Sequence, residues 1–438
     1  PPIPRRDGAC PPLRIADRAA IDCLRPDSPR ILSKMSLANG RHYLAIPGPS
    51  VMPDRVLAAM QRPAPNIYTG ALVDLTNGVL ADLKRLAGST GHVAIYIANG
   101  HGAWEAAIAN MFSRGDRALV AATGHFALGW ADAARRMGVE VDTLDFGRRN
   151  PIDGARIAEA LKADRDHTIR AVLLTQVDTA TTVHNDVATV RAALDAAGHP
   201  ALLAVDAIAS LVCEPFHFDA WGVDVLVAAS QKGLMVPPGL GFIWVSDKAL
   251  EICRDSDLAT PYWDWKTRIA REIFSHNFAG TAPTHHLFGL REALDMIEEE
   301  GLEQIWARHD VLARSVWAAF DAWSAGGDIE LNVAEPAARS HAVTAARFGG
   351  GAAQRLRTWL EEHAGVTLGI GLGMALPTDP SYGDFLRVAH MGHVNPHMTL
   401  GALASMEAGL QALNVPHGSG ALDAAAAVIA EAAQRAAT

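Results

Sequence analysis

The sequence is poor in cysteine, in basic residues and in long apolar runs, and each shortage removes a class of protein. Its four cysteines, Cys10, Cys23, Cys213 and Cys253, show no C-x-x-C spacing. They are too few for a disulfide scaffold or a zinc site, so no metal is expected and the compartment reads as the reducing cytoplasm. Lys and Arg number 38 against 48 Asp and Glu, a formal charge of −10, with no basic stripe to follow a phosphate backbone. Nucleic acid is therefore not expected as a partner. The longest uncharged apolar stretches, such as Leu368–Leu376, fall well short of the ~18 residues a membrane-spanning helix needs. No membrane partner is expected either.

What the chain does have is apolar material, 49% of 438 residues, enough for a large core and two domains. Residues 1–35 are rich in Pro and Arg and lack the apolar segment of a secretory signal, so they are expected to be a disordered extension. Further on, β-branched apolar runs alternate with Ala-rich helical patterns. The runs are His92–Ala98, Arg117–Thr123, Arg170–Gln176, Ala201–Asp206, Val223–Ser230 and Leu240–Ser246. Strands apolar on both faces and separated by helices predict a mostly parallel sheet covered on both sides, an α/β domain. A long helical pattern from His285 to Trp323, broken near Gly301, leads into mixed strands and helices. The expected organisation is a segment 36–60 packing on the small domain and the active site, a large domain 61–295 and a small C-terminal α+β domain 296–438.

In a parallel sheet, ligands collect at the carboxyl ends of strands. Three such ends carry chemistry here. Asn99-Gly100-His101-Gly102 closes one strand and opens a helix, so backbone N–H groups and the helix N-terminus suit an anion, most naturally a phosphate. The spacing is neither G-x-G-x-x-G nor G-x-x-x-x-G-K-[ST], and the glycines alone are also compatible with a plain tight turn. Asp206 ends a buried strand, where a carboxylate needs either a cationic partner or a capping role. Lys232 follows another buried strand and precedes Pro237-Pro238-Gly239; partial desolvation there lowers a lysine pKa and suits imine chemistry, and the alternative, an ordinary surface lysine, is disfavoured by that position. Together the three match the needs of pyridoxal 5′-phosphate: a phosphate anchor, an acid for the pyridine nitrogen and an amine. Trp104, His390 and the pair His285-His286 read as core, packing and helix-start residues.

With these residues the chain resembles the fold type I pyridoxal-phosphate aminotransferases of the alanine–glyoxylate and serine–glyoxylate family, from about Ile46 to the C-terminal helix. The resemblance implies a large domain with a mostly parallel seven-stranded sheet and a smaller C-terminal α+β domain. It implies that Gly48, in Ile46-Pro47-Gly48-Pro49, lies beside the substrate. Asn99, Gly100 and His101 would form the phosphate turn, with Gln231 near it. Phe126 would stack on the pyridine ring, and Thr179 would hydrogen-bond the cofactor. Asp206 and Lys232 would be the pyridinium partner and the catalytic imine lysine. Arg387 would bind the substrate α-carboxylate, as a planar guanidinium does better than an ammonium. Thr281 would reach the phosphate from the other subunit of a homodimer whose active sites lie at the interface. Two departures stand out: Asn66-Ile67-Tyr68-Thr69-Gly70 replaces an Asp-His-Arg-Ser stretch, and Phe278 replaces a tyrosine.

The reaction so implied is ping-pong transfer of an amino group from alanine, serine or aspartate to glyoxylate or another small 2-oxo acid. The runner-up is a pyridoxamine–pyruvate aminotransferase, in which the vitamer is a substrate and whose arginine segment also carries His-Met-Gly, as Arg387 to Gly392 does here. A cysteine desulfurase is not expected, because the last cysteine is Cys253 and Gln231 stands where desulfurases have histidine. A non-catalytic binding module leaves Lys232 and Arg387 without purpose.

Overall fold

Two sheets organise the chain in a computed structural model that describes residues 36–436; the extension expected at 1–35 lies outside the described residues. In chain order the strands are β1 (Tyr43–Ala45), β2 (His92–Tyr96), β3 (Arg117–Ala122), β4 (Glu140–Asp145), β5 (Ile169–Thr175) and β6 (Leu202–Asp206). They continue with β7 (Val225–Ala229), β8 (Gly241–Val245), β9 (Ile329–Leu331), β10 (Val343–Phe348), β11 (Val366–Ile370) and β12 (Phe385–Ala389). The larger sheet has the order β2-β8-β7-β6-β5-β3-β4, and β8 alone runs against its neighbours. The mostly parallel seven-stranded sheet expected of fold type I is therefore present.

Helices cover both faces of this sheet, which is why its central strands are apolar at nearly every position. One face packs against Ala71–Ala87, Val187–Ala197 and Thr284–Glu300, and the other against Gly100–Met111 and His125–Arg136. Strands β6, β7 and β8 are buried throughout. Each Leu, Val or Ile side chain so buried contributes about 1.5–3 kcal/mol relative to exposure, and an ionisable group among them is tolerated only if hydrogen-bonded. Strand β4, Glu-Val-Asp-Thr-Leu-Asp, has no apolar run to announce it in the sequence. It is an edge strand beside β3 with no fully buried position, so it carries charges that a central strand cannot.

The second sheet, β1-β11-β12-β10-β9, joins the beginning of the described chain to its end. Strand β1 pairs in parallel with β11, Tyr43 opposite Val366, while the remaining pairs are antiparallel. Its core includes Trp317, Phe320 and Trp323 of the helix Leu302–Ser324 against Leu356, Leu360, Leu403 and Leu410. The helical pattern His285–Trp323 is two helices, Thr284–Glu300 and Leu302–Ser324, parted at Gly301, whose φ of 85° ends the first.

Candidate active site

Strands β2, β5, β6 and β7 run in one direction and end on one rim, and the residues that follow them meet in a cavity of about 220 Å³. Asn99, Gly100, His101, Phe126, Thr179, Asp206, Gln231 and Lys232 all line it, and the fold adds Trp104, Val177, Ile208 and Ala209. Nearly every cofactor residue expected from sequence is thus brought to one place by the topology. Thr281 is exposed and is not among the lining residues. Phe278 is buried in the core of its own chain, its ring 5.7 Å from that of Phe274.

Asp206, the last residue of β6, is 3% exposed, and both of its oxygens are held. Oδ1 accepts from the Ile208 N–H at 2.7 Å and Oδ2 from the Trp104 indole N–H at 3.0 Å. Burial pushes its carboxyl up to about 7, against the pull of these two donors. Trp104 read as core in the sequence; it is buried and stacks on Trp130 at 6.2 Å, but its polar edge serves Asp206. Its position four residues into the helix that opens at Gly100 was the only signal available.

Lys232 follows β7 and turns into the interior, where its Nζ donates to Pro47 O. Burial lowers it to about 8, with Arg387 acting in the same direction and Asp206 opposing. The segment Pro47–Ser50 is fastened to this lysine, since Ser50 N–H donates to Gln231 O at 2.9 Å and Ser50 Oγ–H to Lys232 O at 2.7 Å. Gly48, at φ 105°, lies so close that a Cβ there would fall 2.5 Å from Lys232 Nζ. Glycine is the residue that fits that backbone and that gap.

The helix Gly100–Met111 points its N-terminus at the cavity. Asn99 Oδ1 accepts from the N–H groups of His101 at 3.1 Å and Gly102 at 3.3 Å, so the side chain of the turn itself now occupies donors that suit an anion. A Cβ on Gly100 would meet Ile208 Cδ1 at 2.5 Å, so turn and β6 loop approach closely here and a larger residue would displace the Ile208 side chain. Gln231 Oε1 is buried without a hydrogen-bond partner, an unused polar end on the cavity wall. Phe126 and Trp104 meet edge to face at 6.2 Å. Arg387, from β12, is 6% exposed; its Nη1 donates to Thr179 O and its Nε to Ile370 O, each at 2.7 Å. Burial lowers Arg387 to about 10, which leaves it charged at neutral pH. His390 packs inside, between Thr344 Oγ1 at 2.9 Å and His341 O at 2.8 Å, and His285 and His286 stand in the first turn of the helix Thr284–Glu300.

A buried amine, a buried carboxylate, a helix terminus suited to an anion, an aromatic ring and an unpartnered amide on one cavity fit pyridoxal phosphate. Comparison with known proteins agrees: the chain belongs to the Aminotransferase class-V family, whose pattern matches residues 42–389. It is 38% identical over 391 residues to the serine–glyoxylate aminotransferase of Methylorubrum extorquens, spanning 87% of this chain and 94% of that one. It is 34% identical over 373 residues to the L-aspartate–glyoxylate aminotransferase of Paracoccus denitrificans, 85% and 91% of the two chains. Among solved structures, the ureidoglycine–glyoxylate aminotransferase of Bacillus subtilis shares the fold with a TM-score of 0.80 at 23% identity, covering 89% of this chain and 98% of that one. The pyridoxamine–pyruvate aminotransferase of Mesorhizobium loti follows at 0.79 and 25%, covering 89% and 97%. The chain is a transaminase and its cofactor is pyridoxal 5′-phosphate.

Proposed function

We propose that this transaminase moves the amino group of a small amino acid, alanine, serine or aspartate, to glyoxylate or another small 2-oxo acid in a ping-pong cycle. The observation that carries the reading is the meeting of Lys232 and Asp206 on one cavity, with Arg387 buried behind its wall and bonded to the Thr179 carbonyl. Relatives named for serine–glyoxylate and L-aspartate–glyoxylate transfer support this choice of substrates.

When bound, pyridoxal phosphate supplies the electron sink for the substrate Cα. Asp206 would balance the proton of the ring nitrogen, and its two hydrogen bonds hold the carboxylate in one orientation. Asn99, Gly100, His101 and Gln231 would hold the phosphate, Phe126 would pack on the ring, and Thr179 would hydrogen-bond the cofactor. Arg387 orients the substrate carboxylate; three of its five N–H groups are beyond those given to Thr179 and Ile370. Lys232 Nζ would take the proton from the substrate Cα, its pKa near 8 suiting an acid–base role close to neutrality. Gly48 leaves the space in which that amine moves.

The reading includes a homodimer, with Thr281 of one copy completing the phosphate site of the other, and a cytoplasmic setting. Among the described residues no helix is long and apolar enough to cross a membrane. The turn at the helix N-terminus, suited to an anion, favours a resident phosphorylated cofactor over an unphosphorylated vitamer as substrate. The test follows the absorbance of the loaded enzyme as alanine, serine or aspartate is added and then glyoxylate. Bleaching by one donor with recovery on glyoxylate names the reaction. A band that no amino acid changes, or one that only pyridoxamine and pyruvate interconvert, overturns it.

A further inference from the structure

The loop after β5 holds a carboxylate that no step above uses. Asp178 is fully buried and accepts four backbone hydrogen bonds. Oδ2 takes the N–H groups of Phe126 at 2.7 Å and Ala127 at 3.2 Å, and Oδ1 those of Ala180 at 3.0 Å and Thr181 at 3.4 Å. The helix His125–Arg136 begins at Gly124 with no side-chain cap of its own, so Asp178 supplies the cap from a different loop. The fit is close: a Cβ on Gly124 would lie 2.5 Å from Asp178 Cγ and 2.7 Å from its Oδ1.

The same carboxylate shapes the turn that holds Arg387. Thr182 N–H donates to Asp178 O at 2.7 Å, closing residues 178–182, and the carbonyl of Thr179 inside that turn receives Arg387 Nη1. Thr182 Oγ1 accepts from Ala345 N–H, and Ala345 is the β10 residue paired with Arg387. One side of Asp178 therefore fixes Phe126, and the other fixes the carbonyl against which Arg387 rests. Its charge also opposes the effect of burial on Arg387.

We propose that Asp178 is a positioning residue that sets the ring-covering Phe126 and the carboxylate-binding Arg387 in one register, so that cofactor affinity and substrate-carboxylate affinity depend on it jointly. This rests on the roles given to Phe126 and Arg387 in the transaminase reading. A purely structural cap predicts a lower melting temperature and unchanged binding by the folded fraction. A joint positioning role predicts that two chemically unrelated ligands lose affinity together.

The test is Asp178→Asn, with two binding constants read on folded protein. They are that of pyridoxal phosphate for the apoprotein, by tryptophan fluorescence, and that of oxamate, a carboxylate that cannot be transaminated, for the loaded protein at saturating cofactor, by calorimetry. Both are expected to weaken about tenfold or more, the scale of one lost charge-assisted hydrogen bond. Gly124→Ala, which presses on the carboxylate without removing its charge, is expected to weaken both by a smaller factor, and it decides the matter if Asp178→Asn does not fold. Either constant remaining within about twofold of wild type overturns the proposal, as does a wild type that does not bind oxamate. A wild type that binds both ligands yet transfers no amino group overturns the transaminase reading and leaves this one standing.

Discussion

The indole N–H of Trp104 donates to Asp206 Oδ2 at 3.0 Å, across a sequence separation of 102 residues. The acceptor is a carboxylate with no other described donor on that oxygen and no access to water sufficient to replace one. Trp104→Phe keeps an aromatic ring but is smaller, and the buried oxygen loses its partner, a change of about 1–3 kcal/mol for the lost bond alone. Losing a donor that stabilises the charged form moves the Asp206 carboxyl further up from about 7. Pyridoxal phosphate is expected to bind this variant roughly 5- to 150-fold more weakly at neutral pH. The deficit relative to wild type shrinks as pH rises and the carboxylate ionises. Fluorescence titrations at neutral and at alkaline pH check both parts.

Lys232 offers a pH dependence with a definite sign. The neutral amine is the nucleophile that takes up the cofactor, and burial has lowered its pKa to about 8. The rate of covalent uptake by the apoprotein should rise with pH through about 8 and then level. An amine at the ordinary lysine value would keep accelerating to about 10.4. Stopped-flow absorbance against pH distinguishes the two profiles, and Lys232→Ala should bind the cofactor without forming the covalent link.

Gly48→Ala places a methyl group on the reacting amine. The variant faces both a φ of 105° and a contact of 2.5 Å to Lys232 Nζ. A strained backbone position of this kind costs about 1–3 kcal/mol. A lower melting temperature is expected together with a displaced cofactor absorbance band. A variant with the wild-type spectrum and full turnover would show that the loop Pro47–Ser50 yields easily.

Arg387→Lys keeps the charge and loses the paired geometry. The KM for the amino donor is expected to rise roughly 10- to 150-fold, as for a hydrogen bond to a charged group worth about 1.5–3 kcal/mol. The lysine also cannot reproduce both contacts to Thr179 O and Ile370 O. Because the bond serves ground state and transition state alike, kcat should change less than KM. Steady-state kinetics with alanine, serine and aspartate in turn report it.

How much of this was legible in the chain depended on periodicity and on neighbours. Strands such as Ala201–Asp206 announce themselves because both faces are buried, and polar residues that end or follow such a run open on the rim where ligands collect. Asp206, which ends one, and Lys232, which follows another, were candidates for that reason. Strand β4 was not legible, because an edge strand is paid in charges that resemble a loop. The hydrogen bond of Trp104 was hidden for a different reason: an indole on a helix looks the same in sequence whether its N–H meets a carboxylate or nothing. The occupation of the phosphate turn by Asn99 Oδ1 was hidden likewise, since the residue type suits either partner. Asp178 carried no signal in the sequence, because its four donors come from two places far apart in the chain, the start of the helix His125–Arg136 and the turn after β5.

Strand β1 closes the second sheet by pairing Tyr43 with Val366, residues 366 − 43 = 323 positions apart. A ribosome adding roughly 5–20 residues each second therefore takes on the order of a quarter of a minute to a minute between making one strand and its partner. Until then β1 has no partner strand, and the segment that carries Gly48 can be held only from its other side, by the bonds of Ser50 to Gln231 O and Lys232 O. The sheet with Asp206 and Lys232 is complete in sequence by Val245, long before Val366 and Arg387 are made. A nascent chain thus carries its amine and carboxylate well before its arginine, and β1 waits longest for its place.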